Sequence, residues 1–292
     1  MPRIGIRTTN QDCLILLFTK SQFSNVELIG VGSYGKVFRV KQGSKHYVVK
    51  ELASTGKREA SLFKKEAALL QSLAGHENIV RIHGFSLTEH AMLLGYESFD
   101  FSKVGISHEP VHCLKDYLQA VDKLNKFSGF HHTQYHLAKD ICAGTRFLHE
   151  RGIAHRDLKP DNILISNNHY VTFPDVDVQI WWASKPITAR LIDFGESRST
   201  LLQTSSLNQT STSNLYRGSP AYMVPEALLG RADRASLYDL QNMDLWSLGM
   251  TLFSLINPDL PYPYALEIEE RQGCRTVDVF KECIETGLLP KL

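Results

Sequence analysis

The sequence is poor in cysteine and has no long apolar run near its start. Its five cysteines are an odd number in a chain of 292 residues. They stand far apart, at Cys13, Cys113, Cys142, Cys274 and Cys283. This usage argues against a disulfide framework and predicts reduced thiols in an intracellular protein. The apolar run from Leu14 to Phe18 is too short to span a bilayer, and no small-residue cleavage site follows it. We therefore expect neither a membrane span nor a secretory signal in this leader.

Neither sign of charge is in excess. Lys and Arg number 32 and Asp and Glu 31, which gives no electrostatic reason to expect nucleic acid or an anionic membrane as a partner. Hydrophobic residues make up 43% and charged residues 22% of the chain, as in ordinary globular proteins. The length suits one large domain or two lobes. His112-Cys113 and the histidines at 131, 132 and 136 lack the paired spacing of a zinc site, so we expect none.

Side chains that could take part in catalysis are concentrated from His155 to Asn162. This segment reads His-Arg-Asp-Leu-Lys-Pro-Asp-Asn. Asp157 is a carboxylate able to accept a hydroxyl proton, and Lys159 is a cation able to offset charge on a transferring phosphoryl group. Asn162 offers an amide oxygen that suits a hard cation such as Mg²⁺. Taken alone, the octapeptide is also compatible with a polar turn between a helix and a strand. Its meaning depends on the segments around it.

A glycine-rich hairpin is predicted between Val26 and Val40. Gly30, Gly32 and Gly35 would let backbone N–H groups approach phosphate oxygens without a Cβ in the way. The same glycine spacing occurs in dinucleotide-binding βαβ units, where a helix follows it. Here a strand-like stretch continues after Gly35, which favours a hairpin that covers phosphates.

A lysine and a glutamate further along are predicted to form an ion pair. Lys50 ends the strand-like stretch that begins at His46. Glu66 lies on the apolar stripe of a predicted helix. The other members of that stripe are Leu62, Phe63, Leu69, Leu70 and Leu73. Because an inward-facing carboxylate needs a cation, we expect Lys50 to pair with Glu66. The alternative is an ordinary salt bridge on the helix surface.

Further motifs follow in a fixed order. Asp193-Phe194-Gly195 closes an apolar strand, the segment 218–226 contains Ser-Pro and Pro-Glu, and Asp244 opens the sequence Asp-Leu-Trp-Ser-Leu-Gly. With the glycine hairpin, Lys50 and the octapeptide, this series resembles the eukaryotic protein kinase superfamily, in its Ser/Thr or tyrosine-kinase-like group. The resemblance extends from Val26 to about Leu260.

The resemblance implies an α+β, bilobal kinase fold. A β-rich N-lobe would cover 26–95, and a hinge with a helical C-lobe would cover 96–292, with ATP in the cleft. The leader, residues 1–25, is expected to be disordered. Extra length near 97–112 and 166–187 is expected to form insertions, since added loop length costs little closure entropy.

Two consequences of the resemblance concern the second lobe. Asp244 is expected to hydrogen-bond the backbone of the catalytic loop. Glu226 would be buried against an arginine that falls beyond Leu292, so we expect an incomplete C-lobe without its C-terminal helices. An unpaired buried carboxylate costs on the order of 3–5 kcal/mol, which predicts marginal stability and weak activity.

The resemblance also assigns the site. Asp157 and Lys159 would be catalytic, and Asn162 and Asp193 would hold Mg²⁺. The ATP-binding residues would be Ile29, Gly30, Gly32, Ser33, Gly35, Val37, Val48, Lys50, Glu66, Leu94, Tyr96 and Leu164. Val48 stands where the family usually has alanine, so we expect a snug but open nucleotide site.

The implied function is ATP-dependent transfer of a phosphoryl group to Ser or Thr hydroxyls of protein substrates, in cytoplasmic signalling. Lys159 and the Gly218-Ser219-Pro220 element favour Ser/Thr specificity, although the tyrosine-kinase-like group shares both. An upstream kinase is a further expected partner, because Arg156 would pair with a phosphate on the polar segment that follows Asp193. Its acceptors would be among Thr204, Ser205, Thr210, Ser211, Thr212 and Ser213.

Three other functions stay open at this point. A pseudokinase scaffold would normally have lost Lys50, Asp157 or Asp193, and all three are present. A small-molecule kinase of the aminoglycoside type would lack the segment 218–226. A kinase-fold adaptor with weak or no catalysis is compatible with the sequence, and its insertions would then be docking surfaces.

Overall fold

The computed structural model describes residues 16–32, 35–52, 56–124, 127–199, 211–212, 215, 218–271 and 273–291. Several predicted functional residues lie outside these ranges. They are Ser33, Thr204, Ser205, Thr210 and Ser213. The chain divides into two compact units, Met1–Tyr96 and Glu97–Leu292. No helix among the described residues has both the length and the apolarity to cross a membrane.

The first unit is a six-stranded sheet with one long helix. Its strands are β1 (Leu16–Leu17), β2 (Ser24–Gly32), β3 (Gly35–Gln42), β4 (Lys45–Leu52), β5 (Ile82–Ser86) and β6 (Ala91–Gly95), and helix α1 spans Lys57–Ser72. The order across the sheet is β1-β5-β6-β4-β3-β2. Strand β1 runs parallel to β5, and the other neighbours are antiparallel.

Residues 16–25 are ordered, which corrects the expectation of a disordered leader for that part of it. Strand β1 pairs with β5, and a 3-10 turn covers Lys20–Gln22. Phe18 is only 5% exposed and packs in an apolar cluster with Val49. The Lys20 backbone N–H donates to the Glu89 carboxylate at 3.0 Å. Burial of Phe18 stabilises the packing of this segment on the sheet. The segment is too short to show the periodic pattern of apolar residues from which strands and helices are predicted.

The second unit is mainly helical. Its helices are α2 (Leu114–Lys123), α3 (Phe127–Glu150), α4 (Asp175–Ser184), α5 (Pro225–Leu228), α6 (Leu237–Ile256), α7 (Ala265–Glu270) and α8 (Thr276–Glu285). Its short strands are β7 (Ile153–Ala154), β8 (Ile163–Ser166), β9 (Thr188–Leu191), β10 (Arg198–Ser199), β11 (Ser211–Thr212) and β12 (Ala235–Ser236). They pair as β8–β9, β7–β10 and β11–β12. The predicted α+β class, with a β-rich first lobe and a helical second, is confirmed.

Helix α6 supports the core of the second unit. Ser236 and Asp239 form a capping box that satisfies the first N–H groups of the helix. Leu240 and Met250 on its inner face lie in the apolar cluster that also contains Phe280 of α8. One side of α6 is therefore fixed by core packing.

The first predicted insertion contributes to the core. Phe99 and Phe101 are fully buried, and their ring centroids lie 5.2 Å and 5.9 Å from that of Tyr117 on α2. The Phe99 N–H donates to the Val111 carbonyl at 2.8 Å, which closes the segment into a narrow loop. These aromatic contacts order the insertion.

The second predicted insertion contains helix α4 and is anchored by one of its two tryptophans. The Trp182 ring centroid lies 5.3 Å from that of Phe130 and 4.6 Å from that of His132, both on α3. Trp181 instead contacts His169, inside the insertion, at 5.2 Å. The insertion is a folded element that packs on the unit's own surface.

Two expectations about the second unit are wrong. The helical spacing of Leu137, Ile141, Phe147 and Leu148 predicts a helix over Tyr135–Glu150. Helix α3 instead begins at Phe127, because Phe130 and Thr133 on its first turns are buried among aromatic neighbours. Glu226 on α5 is exposed to solvent, not buried. A solvated carboxylate carries no large desolvation penalty, so the destabilisation predicted from it does not apply.

Candidate active site

The first unit contains the predicted ion pair. Lys50 Nζ lies 2.8 Å from Glu66 Oε1, and Glu66 is only 8% exposed. Either charge alone would be costly at this depth, so the pair holds the ammonium in place on β4. The ion pair and the inward direction of Glu66 are confirmed. Leu62, predicted on the same stripe of α1, is 44% exposed and does not face inward.

Four predicted ATP contacts share one face of the sheet. Direct partners in an antiparallel ladder lie on the same face. Val37 is opposite Lys50, and Val48 is opposite Leu94, while Val48 and Lys50 share a face because they are two residues apart on β4. Tyr96 follows directly after β6. All five side chains are partly accessible.

The glycine hairpin has the predicted form. Strands β2 and β3 pair through Gly30–Val37 and Gly32–Gly35, so the chain continues as a strand after the last glycine. Gly35 has φ +148°, a conformation that favours glycine over residues with a Cβ. Ile29, at the start of this hairpin's turn region, is 42% exposed.

In the second unit, Asp244 on α6 holds the loop between β7 and β8. Its carboxylate is 1% exposed and accepts the N–H groups of His155 and Arg156, each at 2.7 Å. Its Oδ2 also lies 3.0 Å from His149 Nε2. Arg156 has φ +72°, which costs energy for a residue with a side chain. Two charge-assisted bonds to adjacent N–H groups hold the loop in that conformation, which confirms the predicted role of Asp244.

The His155 ring fixes a second side of the loop. It is fully buried, and its Nε2 lies 2.9 Å from the Ile192 carbonyl oxygen. Its Nδ1 accepts the Asp157 N–H at 3.3 Å. Because a carbonyl only accepts, these partners assign the proton to Nε2. Sequence reasoning gave neither His149 nor the His155 ring a role, because a buried histidine has no distinctive local pattern.

The Asp157 carboxylate is oriented by its neighbours. Asn162 Nδ2 donates to the backbone carbonyl oxygen of Asp157 and to the side-chain Oδ2 of Asp157, both at 2.8 Å. Lys159 Nζ lies 2.9 Å from the same Oδ2. Two groups contact Oδ2, and Oδ1 is the oxygen that faces Gly218. A Cβ built on Gly218 would lie 3.1 Å from Asp157 Oδ1. The predicted catalytic residues therefore form one hydrogen-bonded group.

Gly218 and Ser219 approach this group from a distant part of the chain. Lys159 Nζ donates to Ser219 Oγ at 2.9 Å. Gly218 has φ +92°, and a Cβ there would also meet the Arg156 carbonyl oxygen at 3.1 Å. The local sequence does not predict the close approach of Gly218, although its place before Ser-Pro is a signal of a special turn.

Asn162 and Asp193 lie side by side at one end of the β8–β9 ladder. The Ile192 N–H donates to the Asn162 carbonyl oxygen at 3.1 Å, and the ladder begins with the adjacent pair Ile163–Leu191. Asp193 has φ +65°. One carboxylate and one amide oxygen are the donors expected where phosphate oxygens and water complete the shell of Mg²⁺. These residues fit such an ion. Leu164, the remaining predicted ATP contact, is half-buried on β8.

The histidine and cysteine before α2 form structural contacts. His112 Nδ1 lies 2.9 Å from the Glu97 carbonyl oxygen and therefore donates to it. Burial raises the pKa of the Cys113 thiol to about 12, which keeps it protonated at neutral pH. Among the described residues, no three His, Cys, Asp or Glu side chains are grouped as metal ligands.

Comparisons with known proteins agree with this geometry. A family model of the protein kinase domain matches residues 23–286. The chain is 29% identical to human serine/threonine-protein kinase ULK1 over 247 residues, which cover 83% of this chain and 20% of that protein. It is 28% identical to MAP kinase-interacting serine/threonine-protein kinase 2 of Xenopus laevis over 240 residues, or 81% of this chain and 44% of that protein. It is 29% identical to serine/threonine-protein kinase unc-51 of Caenorhabditis elegans over 251 residues, or 84% and 25%.

The chain thus spans less than half the length of each of these relatives. The family match includes every described residue that the sequence predicts for the site. The chain belongs to the protein kinase family, whose members are phosphotransferases that use ATP and a divalent metal ion.

Proposed function

We propose that this protein is a serine/threonine-protein kinase. One observation carries the proposal: Lys159 Nζ contacts both the Asp157 carboxylate and the Ser219 hydroxyl, each at 2.9 Å. The contact joins the predicted catalytic pair to the Gly218-Ser219-Pro220 element, which the sequence associates with hydroxyl substrates of the Ser/Thr type. The three relatives described above are each named as serine/threonine-protein kinases, which supports the same class.

Asp157 accepts the proton of the attacking hydroxyl in this proposal. Its Oδ2 is held by Asn162 and Lys159, so the carboxylate is oriented before the substrate arrives. Lys159 would offset the negative charge on the γ-phosphoryl group during transfer. Positioning and electrostatics of this kind supply most of the acceleration in phosphoryl transfer.

In this proposal, ATP binding uses the residues that the sequence predicts for it. Lys50, fixed by Glu66, would contact the α- and β-phosphates, and the glycine hairpin would offer backbone N–H groups to phosphate oxygens. Asn162 and Asp193 would hold Mg²⁺, which supplies charge neutralisation on the phosphate oxygens when bound. Val48 and the other ATP contacts predicted from the sequence belong to the same proposal.

Location and regulation complete the proposal. The described cysteines Cys113, Cys142, Cys274 and Cys283 are free thiols, which supports an intracellular, cytoplasmic protein. We expect signalling substrates and an upstream kinase. The guanidinium of Arg156 donates to the Glu196 carbonyl at 3.4 Å, beside the polar segment that would be phosphorylated. A phosphate there would add nearly two negative charges near that guanidinium.

The first prediction tests the catalytic assignment. We expect Asp157→Asn to lower phosphoryl transfer by about 10²–10⁴-fold, because the general base is lost. Lys50→Met should abolish transfer, because the ammonium proposed to contact the α- and β-phosphates is lost. The matched control is Asp161→Asn, since Asp161 lies in the same loop but pairs with Lys115 on the surface. It should transfer phosphate within a few-fold of wild type.

Transfer from radiolabelled ATP, with identification of the phosphorylated amino acid, gives both readouts. Phosphoserine or phosphothreonine from the wild type, absent from the Asp157→Asn protein, is the expected result. Phosphotyrosine alone would overturn the specificity. Equal transfer by the wild type and the Asp157→Asn protein would overturn the catalytic role, and ATP binding without transfer would favour the adaptor function.

A further inference from the structure

Residues 18–23 cross one face of the sheet in the first unit. They connect β1 and β2, which lie at opposite edges of the sheet. Phe18 packs in one apolar cluster with Val49 of β4 and Leu93 of β6. Val49 and Leu93 are direct partners in the ladder and therefore share a face. We call residues 18–23 the crossover segment and the face on which Phe18 packs the covered face.

The end of β4 connects the covered face to Lys50. Glu51 shares the covered face with Val49, two residues before it, while Lys50 points to the opposite face, towards Glu66. Glu51 pairs with Ala91 at the end of the β4–β6 ladder, and the end of a strand opens more readily than its middle. A contact that holds Glu51 therefore limits the movement of Lys50.

Lys20 of the crossover segment makes such a contact. Its Nζ forms an ion pair with Glu51 Oε1 and lies 5.0 Å from the centroid of the Phe38 ring. The Glu51 side chain is only 14% exposed, so its charge needs a partner more than that of a surface carboxylate does. Lys36 lies opposite Glu51 in the ladder, but it is exposed and water screens its charge. Lys20 therefore compensates the charge of Glu51.

Lys20 also contacts the turn between β5 and β6. Its backbone N–H donates to the two carboxylate oxygens of Glu89, at 3.0 Å and 3.3 Å. The carbonyl oxygen of His90, the next residue of the turn, accepts the N–H of Leu52 at 3.1 Å. Lys20 thus joins this turn to the end of β4. Without its ammonium, the carboxylates of Glu51 and Glu89 would both remain near residue 20, and their repulsion would loosen the strand end.

We propose that Lys20 is a positioning residue for Lys50, acting through Glu51 at the end of β4. The inference rests on the proposed function, in which Lys50 contacts the phosphates of ATP. The Lys50 ammonium is then held in two ways. Glu66 pairs with it directly on one face, and Lys20 fixes the strand that carries it from the other face. Loss of Lys20 should let Lys50 leave its ion pair more often and should weaken ATP binding.

The first test needs no nucleotide. It is the rate at which an amine-selective acylating reagent modifies Lys50 in the full chain, measured by mass spectrometry after digestion. Lys20→Met should raise this rate about threefold or more, because Lys50 reacts when it is released from its ion pair. Lys159, which is also paired with a carboxylate and is 20% exposed, is the internal reference and should keep its rate. Lys20→Arg, which retains the charge, and Lys45→Met, which removes an exposed lysine of β4, should stay within about twofold of wild type.

Several outcomes of this test would overturn the proposal. One is equal modification of Lys50 in wild type and Lys20→Met. Another is equal acceleration at Lys50 and Lys159, since that pattern indicates general unfolding and not a local movement. Adding Glu51→Gln to Lys20→Met removes the unpaired carboxylate and should bring the rate back to within about twofold of wild type. A double variant as reactive as Lys20→Met would show that Lys20 does not act through Glu51.

Steady-state kinetics relates the position of Lys50 to phosphoryl transfer. Lys20→Met should raise the KM for ATP about threefold or more with a smaller change in kcat, as expected when ground-state binding is lost. Lys20→Arg should restore the KM. An active Lys20→Met protein with the wild-type KM for ATP would overturn the proposal. A wild-type protein that transfers no phosphate would instead contradict the proposed function, and the modification rates would still decide whether Lys20 positions Lys50.

Discussion

The Asp157 carboxylate is fixed by contacts from residues close in the chain and from Gly218, a glycine far along the chain. Asn162 and Lys159 engage its Oδ2, and Gly218 lies against its Oδ1. The first two contacts follow from the octapeptide, because residues two and five positions on can reach back across a turn. The third depends on the path of the polypeptide between β10 and α5, which no local pattern reveals. At the scale of the residue, the sequence therefore predicts the chemistry better than the packing around it.

A substitution at Gly218 tests that packing. Gly218→Ala should lower the turnover of phosphoryl transfer about tenfold or more, since its Cβ would press on Asp157 Oδ1 and the Arg156 carbonyl at 3.1 Å. Gly230→Ala is the matched control, because Gly230 also has positive φ but no neighbour within 4 Å of a Cβ. Both should lose about 1–2 kcal/mol of unfolding free energy from backbone strain. Equal activity of the two alanine variants would contradict the close contact.

The Ser219 hydroxyl is expected to position Lys159. Ser219→Ala removes the oxygen that Lys159 Nζ contacts at 2.9 Å, and hydrogen bonds to charged groups are worth about 1.5–3 kcal/mol. We expect a roughly tenfold or larger fall in turnover with little change in the KM for ATP. Ser219→Thr keeps the hydroxyl and should stay within about threefold of wild type. An inactive threonine variant, or an unaffected alanine variant, would show that the hydroxyl has no such role.

The elements divide into those with a repeating pattern and those without one. Strands β2 and β3 are predicted from the apolar and β-branched residues that flank the glycines, β4 from the strand-like stretch that ends at Lys50, and α1 from its inward stripe. The start of α3 is missed because its histidine-rich first turns hide the apolar positions, among them Phe130. The segment that contains Phe18 is too short for any period, and α4 lies in a stretch whose only clear apolar signal is a pair of adjacent tryptophans. Long-range aromatic packing decides these cases.

The two tryptophans of α4 should therefore differ in their effect on stability. Trp182→Ala removes contacts to Phe130 and His132 on α3, and we expect a loss of about 2–3 kcal/mol, below the range for a fully buried aromatic. Trp181→Ala removes contacts within the insertion, to His169 and Phe173, and should cost about 1 kcal/mol. Urea unfolding of both variants measures the difference. The reverse order would mean that α4 is anchored elsewhere.

The stability of the whole molecule should depend on pH through partly buried histidines. Burial lowers the pKa of three histidines, His83, His132 and His169. Nearby cations lower the pKa of His83 further, and His136 does so for His132. Lys185 and Arg190 lower the pKa of His169 further. Unfolded histidine titrates near pH 6.5, so below that pH the unfolded chain binds more protons than the folded one. The stabilising contribution is present above about pH 6.5 and is lost as pH falls through the lower folded pKa values.

We therefore expect a smaller free energy of unfolding at pH 5.5 than at pH 7.5. Urea denaturation at both values measures it, and replacing the three histidines by glutamine should flatten the dependence. A wild-type free energy that is equal at the two pH values would contradict the linkage.

Asn162 and Asp193 are far apart along the chain, but the β8–β9 ladder brings their backbones close together. Thirty residues lie between Asn162 and Asp193, yet the two are joined through the Ile192–Asn162 hydrogen bond and the ladder beside it. The hydrogen bonds between β8 and β9 keep Asn162 and Asp193 together. The covalent connection through α4 is not needed for this. Residues 172–174 on that route are exposed. New chain termini opened there by circular permutation, or a reporter domain inserted there, would leave both oxygen donors attached to the same two strands.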